Sequence, residues 1–373
     1  MKLPPIKHVW LIALSGESFD AALAQSKSDP YLAKQLVPKG TLLSDYALTA
    51  SSDLANEIAL LSGQSVNLDT ERDCPTYAEM NPPTVNTKTG LAESIGCVYP
   101  QGVQTLADEL TAAGLTWKAY MQGMGSPSPA ASAPPEPPAS GSPAPTQAAA
   151  PGASTPAQTL DAAVTCRHPE AGAADPNGAP APGDPYVTFR NPFVYFHSLL
   201  DNGSCASDDV DLSNLGGDLA TPTATPNLSW IAPSACDDGS ATPCAPGAAA
   251  GIGAADGFLK EVVPKILTTA AYREGGLIAI VPDSPPSSPA SAAGKPAGAL
   301  LLSPFVRAGA KVSESFNDFS LLKSLARLFG VLPLGHANDP GAVSLGATVY
   351  STTKKAAQAV PPPRSHRHPH VGG

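Results

Sequence analysis

Short apolar runs separated by helix-length amphipathic segments constrain the fold of this chain more than any other feature. The run at 7–14 ends at Ser15-Gly16, as a buried strand does when it leads into a loop. Similar runs lie at 228–233, 276–281 and 299–306. Helical patterns lie at 53–62, 105–114, 256–274 and 317–329. Strands alternating with helices of this length predict an α/β sandwich with a largely parallel central sheet.

Acidic residues are predicted to begin these helices. Asp53 is placed as the N-cap of the first helix, and Thr105 with Asp108 forms a capping box at the second. The third helix is predicted to open at Asp256. Asp318 is placed at the start of the last helix, where a carboxylate complements the helix dipole.

Two low-complexity stretches interrupt this order. The chain has 42 prolines, roughly twice the usual share of about 5%, and they concentrate near 125–158 and 282–298. Such sequence buries too little apolar surface to offset the entropy of ordering, so both stretches are interpreted as surface insertions. Residues 1–358 are predicted to form one domain, and 359–373 a disordered tail.

Charge and hydropathy exclude several classes of protein. A formal net charge of −10 argues against a nucleic-acid partner. No apolar run approaches the length of about 18 residues that a transmembrane helix needs. The first five residues lack the apolar stretch of a secretory signal.

Six cysteines favour an oxidising compartment. They are Cys74, Cys97, Cys166, Cys205, Cys236 and Cys244. None forms a Cys-x-x-Cys pair, so zinc binding and thioredoxin-like chemistry are disfavoured. An even count in loop-like sequence favours disulfides, and we predict sequential pairing, although the sequence alone does not choose among the connectivities. The expected location is therefore secreted, periplasmic or at the cell envelope.

A series of short sequence segments, which follow one another in a fixed order between about residue 6 and residue 335, indicates a family resemblance. They lie at 6–9, 17–20, 31–33, 56, 58–59, 61–64, 73–75, 96–100, 105–107, 114–117, 166–169, 191–198, 225–228, 236–239 and 320–322. In this order they resemble the phosphoesterase family of bacterial phospholipases C and acid phosphatases. The resemblance implies a three-layer α/β/α sandwich of the alkaline-phosphatase type. It also supports the sequential cysteine pairing, because the cysteines fall within the shared segments.

The resemblance implies metal-assisted ester hydrolysis at the carboxyl ends of the strands, where a divalent ion polarises the phosphoryl group. Most positions that it assigns to metal ligands carry other residues here. These replacements are Ser15 and Gly16 for a Glu-Asn pair, Arg190, Ser240 and Asp318 for histidines, and Ser284 for a glutamate. Asp283 is the one residual candidate ligand. The chain therefore resembles a degenerate member of the family, with no resident cofactor expected.

The family's nucleophile segment falls at 53–57 in this chain. Asp53 and Asn56 lie within it, and Ser51 or Ser52 could supply a hydroxyl if the register shifts by about one residue.

Other polar residues near the shared segments have structural interpretations. Asp20, Asp237 and Asp238 are expected to stabilise turns, and His197 to be a hydrogen-bonded core residue.

Three functions remain open from the sequence. The first is a catalytically inactive phosphoesterase-like protein that binds a partner through the pocket corresponding to the family's active site, or through the rim of that pocket. The second is a metal-dependent phosphoric ester hydrolase with a rearranged site built from Ser51 or Ser52, Asp53, Asp237, Asp238 and Asp283. The third is a module that binds a small anion through a bidentate contact with Arg190.

Overall fold

The computed structural model describes residues 2–15, 31–125, 164–240, 244, 247–284 and 296–351. Its strands are β1 (His8–Leu14), β2 (Thr41–Leu43), β3 (Tyr46–Ala47), β4 (Trp117–Met121), β5 (Asp209–Asp211), β6 (Leu228–Ala232), β7 (Gly276–Pro282), β8 (Ala299–Leu302), β9 (Ala310–Val312) and β10 (Phe316–Asn317). Eight of them form one sheet in the order β5-β4-β6-β1-β7-β8-β2-β9. Only β8 runs antiparallel to its neighbours, so the predicted largely parallel sheet is confirmed.

The apolar run at the N-terminus forms the centre of this sheet. Strand β1 pairs in parallel with β6 on one side and β7 on the other. All seven of its residues are buried. A strand buried on both faces needs a continuous apolar sequence rather than an alternating one, which explains why the run at 7–14 is uninterrupted.

Helices cover both faces of the sheet. They are α1 (Asp53–Ser62), α2 (Leu106–Ala112), α3 (His197–Leu200), α4 (Ser204–Asp208), α5 (Leu215–Asp218), α6 (Ile252–Leu267), α7 (Ala270–Gly275) and α8 (Asp318–Phe329). Val9 and Leu11 of β1 pack in the same core as α1, α2 and α8. Trp10 and Ile12, which point to the opposite face, pack with α6 and α7. The chain is therefore a three-layer α/β/α sandwich.

The structure corrects two predicted helix starts and adds an N-cap to a third helix, α8, which begins at Asp318 as expected. The N-cap of α1 is Ser52 rather than Asp53, which is the first helical residue. Asn317 caps α8, because its side chain accepts the N–H of Ser320. The helix predicted to open at Asp256 begins four residues earlier, at Ile252. At α1 and α6 a nearby residue takes the position at the helix start and the predicted acid bonds elsewhere.

Two other predictions, one on helix capping and one on disulfide pairing, are confirmed. The capping box of Thr105 and Asp108 is present at α2. All six cysteines are paired in the predicted order, as Cys74–Cys97, Cys166–Cys205 and Cys236–Cys244.

Much of the low-complexity sequence lies outside the described residues. This holds for 126–158 and for the tail at 359–373. Within the second predicted insertion, 285–295 also lies outside the described residues, whereas Pro282 ends β7 and Pro296 forms a bridge with Ala47. Among the helices in the described ranges, none combines the length and apolarity required to cross a membrane.

Candidate active-site crevice

Three parallel strands deliver polar residues to one edge of the sheet. Ser15 follows β1, Asp238 lies in the loop after β6, and Asp283 follows β7. The backbone holds these ends together, since the N–H of Asp283 donates to the carbonyl of Leu14 at 2.8 Å. Gly239 lies so close to the end of β1 that a Cβ there would approach the Ser15 carbonyl oxygen to 2.3 Å. These contacts form the crevice expected at the carboxyl ends of parallel strands.

The guanidinium of Arg190 occupies the centre of this crevice. Its Nη1 lies 2.6 Å from Asp53 Oδ2 and 3.1 Å from Asp238 Oδ2, and its Nη2 lies 2.9 Å from Asp283 Oδ2. Nη2 also donates to the carbonyl of Ala13 at 3.4 Å. Arg190 is 2% exposed, so a buried cation is surrounded by three carboxylates. We call Arg190, Asp53, Asp238 and Asp283 the arginine cluster.

Two further acids adjoin the arginine cluster, and sequence reasoning missed both. As a carboxylate, Glu57 would have no donor for either oxygen among the described residues. The nearby charge of Asp283 adds to the effect of burial in raising the pKa of Glu57 and so favours its neutral form. Asp73 accepts the N–H of Leu54 at the start of α1. Glu57 follows Asp53 by one helical turn, and this i, i+4 spacing was the signal that could have found it.

Burial controls the ionisation of this region. It raises the pKa of Glu57 well above the usual range, and the charge of Asp283 adds to the effect, so burial favours the neutral form of this acid. Burial also raises the pKa of Asp283, an effect that Arg190 opposes. The pKa of Asp73 is raised to about 7, first by burial and then by Asp53.

The arginine itself stays charged. Burial lowers the pKa of Arg190, but the charges of Asp283, Asp238 and Asp53 outweigh burial and raise it. The carboxylates therefore stabilise the positive charge of Arg190, and Arg190 stabilises their negative charges.

Other predicted site residues are brought to the same edge and bond within it. Ser15 Oγ and Ser284 Oγ, which come from positions assigned to two metal ligands, lie 2.6 Å apart. Asn56 Nδ2 donates to the carbonyl of Asp283 at 2.5 Å. The N–H of Ser240 donates to Asp238 Oδ1 at 2.6 Å. Ser52 Oγ donates to the carbonyl of Thr70 at 2.9 Å, so it does not face the guanidinium.

The remaining candidate site residues form hydrogen bonds outside the arginine cluster. Ser51 donates to Glu71. Asp318 is buried and accepts hydrogen bonds from Tyr46 and Thr49, which ties α8 to the loop before α1. Asp237 accepts from Gln122 at 2.7 Å rather than joining Asp238 in the arginine cluster.

One structural interpretation was wrong: His197 is not a core residue. Its side chain is 30% exposed and contacts Glu79 and Asp201. Gly16 and Asp20 lie outside the described residues.

The donor set does not fit the divalent metal that the family resemblance implies. Hard cations need several converging oxygen or imidazole ligands, and here a guanidinium takes the central position. Within the described ranges, one group of three His, Cys, Asp or Glu side chains has its ligand atoms within 4.8 Å of one another. That group is Cys166, Cys205 and Asp209, and both of its sulfurs are in a disulfide.

The crevice thus lies at the carboxyl ends of the strands of a mostly parallel α/β sheet. A family model described as the phosphoesterase family matches residues 24–332. The chain belongs to this family. No curated protein sequence matches it.

Solved structures that resemble the chain share little sequence with it. One, from Bacteroides thetaiotaomicron and described as a sulfatase, has 12% identity and a TM-score of 0.48, covering 92% of this chain and 74% of its own. A protein of the alkaline phosphatase superfamily from Vibrio parahaemolyticus has 10% identity and a TM-score of 0.46, with 91% and 71% covered. A phosphonate monoester hydrolase of Agrobacterium radiobacter has 10% identity and a TM-score of 0.43, with 90% and 78% covered.

Proposed function

We propose that this chain is a phosphoesterase-family protein in which an internal ion-pair network has replaced the metal centre, so that the crevice no longer hydrolyses phosphate esters. The observation that carries the proposal is the buried Arg190 guanidinium held by Asp53, Asp238 and Asp283. A guanidinium supplies the positive charge that the carboxylates require. Unlike a metal ion, it has no open coordination position for a phosphoryl oxygen or a water.

The hydroxyl groups near the crevice support the same conclusion. A nucleophilic serine needs an adjacent base that takes its proton. Ser15 and Ser284 bond to each other, and Ser52 donates to a backbone carbonyl. Of the two candidate hydroxyls before α1, Ser52 donates to that carbonyl and Ser51 to the carboxylate of Glu71 rather than to an imidazole.

The network also argues against the alternative in which Arg190 clamps an external anion. Both terminal nitrogens already contact carboxylates, and an incoming phosphate would meet three negative charges. Among the described residues, a cavity that Arg190 borders has a volume of about 10 Å³. That is close to the smallest space that holds a single water.

The three disulfides support the further proposal that the protein acts outside the cytosol, in the periplasm or as a secreted protein. There it would act as a binding or envelope-associated module through the rim of the crevice. Fractionation of the source cells tests the location.

Elemental analysis combined with phosphatase assays tests the main proposal. Purified protein is expected to carry no stoichiometric divalent ion and to leave p-nitrophenyl phosphate intact with Mg²⁺, Mn²⁺, Ca²⁺ or Zn²⁺ added. A variant combining Ser15→Glu, Gly16→Asn, Arg190→His and Ser284→Glu restores family ligands and serves as the comparison for metal uptake.

A stoichiometric ion in the wild type, with turnover abolished by Asp283→Ala, would establish an active rearranged site instead. Asp201→Ala is the matched control, because Asp201 is an exposed carboxylate that bonds His197 and belongs to none of the candidate sites.

A further inference from the structure

A second group of reactive side chains lies away from the arginine cluster, between the end of α1 and the segment after α8. Ser65 Oγ lies 2.7 Å from His336 Nε2. On the other side of the same ring, His336 Nδ1 lies 2.8 Å from Asp339 Oδ2. Serine, imidazole and carboxylate are thus joined in one chain of hydrogen bonds, the arrangement that activates a serine in unrelated hydrolases.

Close backbone packing fixes the two segments that carry this chain. Gly63 ends α1 with a φ of 72°, and the N–H of His336 donates to its carbonyl at 2.9 Å. A Cβ on Gly335 would approach that same carbonyl oxygen to 2.3 Å. Gln64, next in sequence, is held by hydrogen bonds to Gly90 and Ala92. The serine and the imidazole are therefore positioned by rigid neighbours, as catalysis requires.

The orientation of the imidazole suits proton transfer. With the Asp339 carboxylate accepting from Nδ1, the neutral ring presents Nε2 as an acceptor for the Ser65 hydroxyl. The ring also packs against Phe319 of α8, with 5.2 Å between the ring centroids. Ser65 is exposed, and His336 is 31% exposed. A substrate can therefore reach both atoms.

These residues line a cavity of about 900 Å³. Phe316, Phe319 and Val343 give it an apolar wall, while Asp45 and Asp339 add negative charge. No Lys or Arg is among its lining residues in the described part of the chain. A phosphate or sulfate ester would be repelled there, whereas a neutral ester with an apolar acyl group meets complementary surface.

We propose that Ser65, His336 and Asp339 form a serine esterase site for neutral carboxylic esters. This activity goes beyond the proposed function and is independent of the crevice.

Ser65 Oγ adds to the ester carbonyl carbon while its proton passes to His336 Nε2. The carbon–oxygen bond to the alcohol then breaks, and Nε2 returns the proton to the leaving oxygen. Water repeats the sequence on the acyl-serine, which releases the carboxylic acid and restores the serine.

The backbone offers donors for the developing oxyanion. The N–H groups of Ser65 and Val66 form no hydrogen bond with any other residue that the structure describes. The N–H of the residue that follows a nucleophile is a common oxyanion donor in serine hydrolases. Removing one such donor typically costs about 10²–10³ in kcat.

Covalent labelling of the full-length protein tests the proposal. A fluorophosphonate probe, followed by peptide mass spectrometry, is expected to modify Ser65. His336→Gln should lower the labelling rate and the hydrolysis of p-nitrophenyl butyrate by at least about 100-fold, the scale of general-base catalysis. Ser65→Ala should abolish both. A parallel assay with p-nitrophenyl phosphate distinguishes this esterase activity from any phosphatase activity at the crevice.

Ser207→Ala is the matched control, because Ser207 is an exposed serine beside the Asp208 carboxylate and has no imidazole partner in the described ranges. This variant should label and turn over like wild type. Wild-type protein that stays unlabelled, or labels at another serine, overturns the proposal even if the variants fold poorly.

Asp339 is a positioning residue. Asp339→Asn should move the acid limb of the kcat/KM profile, which a purely structural contact would leave unchanged.

Discussion

Replacing Arg190 with methionine removes the buried cation while keeping most of the side-chain volume. Asp238 and Asp283 are then left facing each other at 2% and 3% side-chain exposure, with Asp53 at 13%. Removing one partner of a buried ion pair typically costs about 3–5 kcal/mol, because an uncompensated buried charge remains. We expect a loss in the free energy of unfolding of about that size at pH 8.

The loss should shrink as the pH falls. Burial raises the pKa values of Asp238 and Asp283 and the charge of Arg190 opposes this rise, so removing Arg190 raises both further in the folded variant. The folded variant then binds protons that the unfolded chain releases, and it gains stability relative to wild type on acidification. At pH 5 the difference between variant and wild type should fall to less than about half of its value at pH 8.

Urea unfolding at both pH values, followed by tryptophan fluorescence, measures this difference. Trp10 and Trp230 are 0% and 1% exposed, so their emission reports loss of the core. Arg273→Met is the control, since Arg273 is exposed and bonds a backbone carbonyl, and it should cost no more than about 0.5 kcal/mol. A loss for Arg190→Met below about 1 kcal/mol, or one equal at both pH values, would refute the ion-pair reasoning.

Two further predictions concern the whole fold. Burial raises the pKa of Asp318 to about 6, of Asp73 to about 7 and of Asp209 to about 8. The folded state therefore holds protons that the unfolded state loses near pH 4, so stability should fall as the pH rises from about 4 to 8. Asp209→Asn should flatten the upper part of this decline in pH-dependent urea titrations; an unchanged slope would contradict the assignment. The Cys166–Cys205 bridge, with a sequence separation of 39, closes the longest loop of the three. Replacing a bridge by paired alanines should lower the free energy of unfolding by about 4 kcal/mol for Cys166–Cys205, about 3.5 kcal/mol for Cys74–Cys97 and about 2.5 kcal/mol for Cys236–Cys244. Thermal melts of the three variants that do not follow this order would contradict the chain-entropy account.

The sequence by itself determined the layers of the fold. The apolar run at 7–14 became the central strand β1, and the capping box of Thr105 and Asp108 marked the start of α2. These signals are local, because burial on both faces and helix capping act over a few neighbouring residues. The sequential cysteine pairing is confirmed, but its prediction drew on the family resemblance, because the sequence alone does not choose among the connectivities.

Only the tertiary structure decided how the polar residues combine. Arg190 meets Asp53 across 137 positions of sequence, and Ser65 meets His336 across 271. An acid that can cap a helix can equally pair with a distant cation, and local sequence does not distinguish the two. Asp53 was therefore assigned to a helix cap and Asp318 to the helix dipole, whereas the fold places one against a guanidinium and the other against Tyr46. The choice depends on which distant groups the packed sheet brings within hydrogen-bonding distance.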